Sequence, residues 1–149
     1  MCENHLTIAF AESASAGRAA FEFSLTADSG SVLKGGLVCY DACIKEDILG
    51  VDPALIEKFT PESSEITKAV ACRLSHFMDA DIHVAITGLP SPGGSENRNK
   101  PVGTMFIHIL MKDRSVALRK VFHGTPESII LQTIDLVAQA ILDALMQTS

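Results

Sequence analysis

Apolar and polar positions fall along this chain in blocks whose periods predict an alternation of strands and helices. Leu6–Ala11 is apolar, contains β-branched and aromatic types and lacks Gly and Pro, which is the pattern of a buried strand. Glu12-Ser13-Ala14-Ser15-Ala16-Gly17 is small and polar, and from Arg18 to Leu25 apolar residues recur at helical spacing. A strand therefore ends where a helix begins. Asp28-Ser29-Gly30-Ser31 predicts a turn. Val32–Tyr40 predicts a second strand whose glycine pair, Gly35-Gly36, signals a bulge or the close approach of another backbone.

Asp41–Leu49 carries Ile44, Ile48 and Leu49 on one side and predicts a short helix stopped at Gly50, while Asp52 and Pro53 supply the cap and first position of another. Ser63 or Ser64 caps a longer helix to about Met78, with Ile66, Val70, Leu74 and Phe77 as its buried stripe. Asp81–Thr87 predicts a third strand. Gly88–Pro101, GLPSPGGSENRNKP, predicts a loop longer than ordinary connections, of the length that usually carries function. Val102–Met111 and Ser115–His123 predict an antiparallel hairpin joined at Lys112-Asp113-Arg114. Thr125-Pro126-Glu127 opens a long amphipathic helix to about Met146. Together these predict an α/β fold: a three-layer α/β/α sandwich on a mixed, mostly parallel sheet of about five strands with a late hairpin. The 149 residues fit one domain, 1–149.

Composition narrows the picture. With 47% hydrophobic residues, no Trp and one Tyr, the core must be built from Val, Ile, Leu, Ala and Phe. A formal net charge of −6, with basic residues never clustered beyond a pair, excludes a nucleic-acid footprint. Cys2, Cys39, Cys43 and Cys72 lack zinc spacing and are expected as buried free thiols. The five histidines are scattered, so no metal and no cofactor are expected. The opening MCENH lacks a basic leader region, and no segment is expected to reach the ~20 residues of a membrane span. The expectation is a soluble cytoplasmic protein.

The chemistry is less legible. A strand-to-helix junction offers free N–H groups and a positive dipole end, beside which Ser13 could act as a nucleophile. Ser is also a common helix cap. Lys45 reads equally as a solvated helix lysine and Tyr40 as a strand-end phenol in water. Gly88–Gly93 has the first half of a phosphate loop, but Gly94-Ser95 follow where Lys-Ser/Thr is required, which excludes a triphosphate site. Spacing alone leaves the active site open.

Ala11-Glu12-Ser13, Gly35–Tyr40 with Lys45 five beyond, Leu49–Val51, Thr87-Gly88, Pro92-Gly93-Gly94 and Lys100–Thr104 carry a resemblance. In that order, from about Leu6 to Leu145, the chain resembles the C-terminal domain of the competence-damage-inducible CinA family. Active members of that family are nicotinamide-nucleotide amidases. The resemblance implies hydrolysis of the carboxamide of nicotinamide mononucleotide to the acid and ammonia, without a metal. Ser13 would be nucleophile, Lys45 general base and Tyr40 an orienting or proton-relaying group. Lysine can serve so at neutral pH only if burial or a neighbouring cation lowers its pKa, and Ser–Lys is a known variant of triad logic. The implied substrate-binding set is Ser15, Gly17, Thr87, Gly88, Gly93, Gly94 and Thr104. The threonine hydroxyls would hold amide or ribose, and glycines 88, 93 and 94 would form either a phosphate nest or plain turns. The implied partner is a small nucleotide or amide, with no membrane.

Three segments depart from the family pattern. Ala14-Ser15-Ala16-Gly17 stands where the family reads CTGG, and Ser15 takes the threonine's place. Phe122-His123-Gly124-Thr125-Pro126 stands where F-x-G-D-R is usual, removing a substrate-binding arginine; loss of such a contact costs ~2–5 kcal/mol. Only five residues precede the first strand, so the family's amino-terminal helix is expected to be missing and one sheet face under-covered, favouring a homo-oligomer. Two functions stay open: a working amidohydrolase, and a catalytically degenerate relative that binds small molecules or proteins.

Overall fold

The computed structural model describes residues 5–147. Its centre is β1 (Ile8–Glu12), all of whose residues are buried because a strand lies on each side of it and a helical layer on each face. β2 (Leu33–Val38) and β3 (Ile82–Gly88) flank β1 in parallel. β4 (Thr104–Met111) pairs antiparallel with β3, and β5 (Arg114–Val121) antiparallel with β4. The sheet order is β2-β1-β3-β4-β5, with β4 alone reversed in direction. This is the mixed five-stranded sheet expected, although two of its pairings are antiparallel.

Side-chain alternation along the strands sorts the two faces. Ile8, Phe10, Ile82, Val84, Ile86, Met105, Ile107 and Ile109 point to one face. There they meet α1 (Arg18–Ser24), the one-turn α2 (Ser29–Val32) and α6 (Pro126–Met146) through Ala19, Val32, Ile134, Val137 and Ile141. The opposite face presents the smaller Ala9, Ala11 and Ala85. Against it lie α4 (Pro53–Phe59) and α5 (Ser64–Phe77), which contribute Ile56, Ile66, Val70, Ala71 and Leu74, with α3 (Ala42–Asp47) at the end of the layer. Alanines on the strands and Ala71 on α5 let that helix sit close to the sheet.

Local chemistry sets the element ends. Ser63 accepts from the Ile66 N–H, Asp52 from Ala54 and Thr125 from Ser128, each side chain satisfying a donor left free at a helix start. The glycine pair has both predicted uses. The β1–β2 register shifts between Ile8 and Ala9, and a Cβ on Gly36 would lie 3.1 Å from that of Ala20 on α1.

Several expectations need correction. The predicted turn at residues 28–31 is largely α2, since one helical turn uses the same polar residues. The hairpin is tighter than read: Met111 pairs with Arg114 across only Lys112-Asp113. Phe77 leaves the stripe of α5 and is 53% exposed. Cys39 is buried but Cys43 is exposed and Cys72 half-buried; Cys2 lies outside the described residues. Finally, α6 has 21 residues and mean hydropathy 1.7, so by length and composition a segment does match a membrane span. Its inner side is packed on the sheet through Ile134, Val137 and Ile141, while Leu142 and Met146 on the same helix are exposed.

Candidate active site

Ser13 is fixed by the sheet. Its N–H donates to the Ile86 carbonyl (2.9 Å), extending the β1–β3 ladder by one step and leaving the hydroxyl at the strand's end. One step further along β2, the Cys39 N–H donates to the Glu12 carbonyl (2.8 Å), which fixes the chain leading into α3. Asp41 caps α3 by accepting from Cys43 (2.8 Å), and Lys45 in that helix turns back toward the sheet. Its amine lies 2.9 Å from the Cys39 carbonyl and 3.1 Å from Ser13 Oγ.

Lys45 is fully buried. Burial pushes its pKa below the ordinary lysine value, against weaker opposing pulls from Cys39, Glu62 and Asp41. A neutral amine has one lone pair and two protons. It can donate to the Cys39 carbonyl while accepting the Ser13 proton. Burial also pushes the Cys39 thiol up, so that sulfur stays protonated.

Ser13 is not the cap of α1. That task falls to Glu12, a fully buried carboxylate that accepts from the N–H groups of Gly17 (3.1 Å), Ala19 (2.9 Å) and Ala20 (2.8 Å) and from the Ser15 hydroxyl (2.6 Å). The helix-start donors expected to face a ligand are thus used internally. Ser15 and Gly17, expected to touch substrate, instead hold Glu12. Gly17 and Ala16 both have positive φ, 94° and 49°, and at position 16 a side chain occupies backbone space that favours glycine. The Ala14 N–H has no acceptor among the described residues, and Ala14 borders the cavity over Ser13.

That cavity has a volume of about 190 Å³ and is lined by Ser13, Ala14, Tyr40 and Glu62 and by Gly88–Gly94 of the long loop. Gly88, Gly93 and Gly94, which the resemblance implied as substrate-binding, line this cavity. Gly88 is obligatory: at φ 152° a Cβ would lie 2.7 Å from the Thr104 carbonyl. Tyr40 is 64% exposed at the mouth, and its hydroxyl bonds to neither Ser13 nor Lys45. Thr87 and Thr104 are fully buried, and their hydroxyls are engaged with Thr67 (2.8 Å) and the Pro101 carbonyl (2.6 Å). They brace the strand ends and are absent from the cavity lining.

The long loop is pinned by Lys100, whose amine donates to Thr60 Oγ1 (2.7 Å), the Glu62 carbonyl (2.7 Å) and Ser95 Oγ (2.6 Å). Ser95 also donates to the Glu62 carboxylate. Among the described residues no cluster of His, Cys, Asp or Glu could hold a metal ion.

The sequence profile of the CinA C-terminal domain matches residues 1–146. The chain belongs to the CinA C-terminal domain family. A CinA-like protein of Mycobacterium marinum is 41% identical over 106 residues, 71% of this chain and 25% of that protein. A CinA-like protein of Petrotoga mobilis is 36% identical over 124 residues, 83% of this chain and 30% of that protein. This CinA-family chain thus spans about a quarter to a third of the length of the curated relatives it matches. Among solved structures, a competence or damage-inducible protein from Enterobacter asburiae superposes with a TM-score of 0.90 at 24% identity, covering 97% of this chain and 90% of that one. A CinA superfamily protein from Escherichia coli gives 0.82 at 25% identity, covering 89% and 76%. Where the family pattern carries Asp-Arg, this CinA-family chain uses Thr125 and Pro126 to start α6.

Proposed function

We propose that this protein is a Ser–Lys amidohydrolase acting on the primary carboxamide of a small molecule, the class to which nicotinamide mononucleotide belongs. The observation that carries the reading is the fully buried Lys45 amine 3.1 Å from Ser13 Oγ. Ser13 Oγ would attack the amide carbon as its proton passes to Lys45 Nζ, and the Ala14 N–H would meet the developing oxyanion. The C–N bond then breaks, and ammonia leaves with the proton returned by Lys45. Water repeats the sequence on the acyl-serine and releases the acid. Tyr40, at the mouth, would orient the amide. The threonines at 87 and 104 would act at one remove, through the strand ends that hold the loop.

Incubation of the purified protein with nicotinamide mononucleotide and simpler amides, with ammonia as readout, tests the reading. Release above that of Ser13→Ala supports it, and no difference removes it. A second reading, binding without turnover, is favoured by the use of Thr125-Pro126 as a helix start where the family pattern carries an arginine. It predicts ligand-dependent stabilisation without ammonia release.

A further inference from the structure

The α4–α5 connection makes a strained turn beside the cavity, and the strain points to a task for Glu62. Thr60 ends α4 at φ 68°, a region that a β-branched residue rarely enters. Three contacts hold the turn. The Lys100 amine donates to Thr60 Oγ1 and to the Glu62 carbonyl (both 2.7 Å), and Ser63 Oγ donates to the Thr60 carbonyl (3.0 Å) while it caps α5. The backbone of Glu62 is thus braced from both sides, and its half-buried side chain forms part of the cavity wall that also includes Ser13 and Ala14.

The side chain is aimed as well as placed. Ser95 Oγ donates to Glu62 Oε2, and that hydroxyl is itself held by Lys100 Nζ (2.6 Å). The amines of Lys45 and Lys100 both feel the Glu62 charge, yet their hydrogen bonds go to Ser13 and Cys39 from the one, and to Thr60, Ser95 and the Glu62 carbonyl from the other. Oε1 keeps its acceptor capacity. A Cβ built on Gly94, another residue of the wall, would lie 3.8 Å from it. Among the wall side chains Glu62 carries the carboxylate, which can only accept, and a primary carboxamide brings two N–H donors where an ester or an acid anion brings none. The match improves along the reaction. The nitrogen of the tetrahedral intermediate takes the proton held by Lys45 and becomes positive, then leaves as ammonia with the electron pair of the C–N bond; a hydrogen bond to a carboxylate strengthens with that charge. We propose that Glu62 is the specificity residue of this site, its Oε1 accepting an N–H of a primary carboxamide whose carbon faces Ser13 Oγ.

The proposal rests on the amidohydrolase reading for its chemistry, and binding separates the two. Turnover of nicotinamide mononucleotide is compared with turnover of its methyl-ester counterpart. Glu62→Ala is expected to lower kcat/KM for the amide by about tenfold or more, the loss of a hydrogen bond to a charged group, and for the ester by less than about threefold. Glu62→Gln keeps a neutral acceptor and should fall between. A loosened connection would lower both substrates alike, so an unchanged amide-to-ester ratio overturns the proposal. If neither Glu62 variant folds, Ser95→Ala, which frees the carboxylate without removing it, must lower the same ratio. Calorimetric titration of Ser13→Ala should show tighter binding of nicotinamide mononucleotide than of the acid mononucleotide, and adding Glu62→Ala should remove the preference. Equal binding, no binding of either, or a preference that survives Glu62→Ala overturns the assignment. If no amide is hydrolysed yet the preference appears and depends on Glu62, the hydrolytic reading fails and the specificity stands.

Discussion

Lys45 Nζ and Ser13 Oγ lie 3.1 Å apart although 32 residues separate them in the chain. Two edges of one sheet end bring them together: Ser13 continues β1 beside β3, and the chain leaving β2 turns through α3 to send Lys45 back. The same geometry strips the amine of water, which lowers its pKa and favours the neutral form that a general base requires. Scaffold and chemistry therefore share a cause in the strand order.

If the pair works as a unit, Ser13→Ala abolishes ammonia release, and Lys45→Arg lowers kcat by ~10²–10⁴-fold because guanidinium stays protonated and cannot serve as base. Activity must rise with pH, since the working form of Lys45 is unprotonated. The rise falls below the ordinary lysine value, as burial dictates. A pH–rate profile of kcat/KM checks this. A flat profile, or an Arg variant with wild-type activity, would count against the dyad.

The buried amine should cost stability. With the folded pKa of Lys45 below the unfolded value of 10.5, the native state binds fewer protons than the unfolded one between the two, so stability rises with pH across that window. At lower pH the penalty is complete. Lys45→Met is expected to stabilise the fold by about 1–3 kcal/mol near neutral pH while removing activity, with the difference from wild type shrinking as pH approaches 10.5. Urea unfolding at several pH values measures it.

How much of this was legible in the sequence depends on the range of the interaction. The stripe Ile66, Val70, Leu74 and the caps are local; Asp52 and Thr125 were read at their positions, and the third was narrowed to Ser63 or Ser64, of which Ser63 caps the helix. Phe77 keeps the helical period but falls beyond the cover of the sheet, so periodicity alone misplaced it. The Ser13–Lys45 pair is non-local, and only the motif resemblance pointed to it. Glu12 was quoted as a motif letter, yet its signal was present: a carboxylate ending an apolar strand just before a helix with uncapped N–H groups.

Glu12 predicts the largest loss of stability at the site. Its carboxylate satisfies three backbone N–H groups and the Ser15 hydroxyl. Glu12→Ala leaves several of these buried and unpaired, at an expected cost of about 3–4 kcal/mol. Glu12→Gln, which keeps an acceptor, should cost less. Chemical denaturation of both variants tests the ranking, and equal stability of Ala and wild type would contradict the capping role.

Lys100 predicts an effect on binding more than on chemistry. Two of its three hydrogen bonds, to Thr60 Oγ1 and the Glu62 carbonyl, join the loop of residues 88–101 to the α4–α5 connection, the third holds Ser95 within the loop, and Gly93 and Gly94 on that loop border the cavity. Lys100→Met keeps the stem but removes the donors, so the loop loses its tie while Ser13 and Lys45 stay in place. Net loss of global stability should be modest, about 1–2 kcal/mol, because the amine is partly exposed and water replaces some partners. The loop itself should open more often, giving faster proteolysis within residues 88–101 and faster amide exchange there. On an amide substrate the variant should raise KM several-fold with a smaller change in kcat, the pattern of a lost positioning element. A fall in kcat at constant KM would instead place Lys100 in the chemical step.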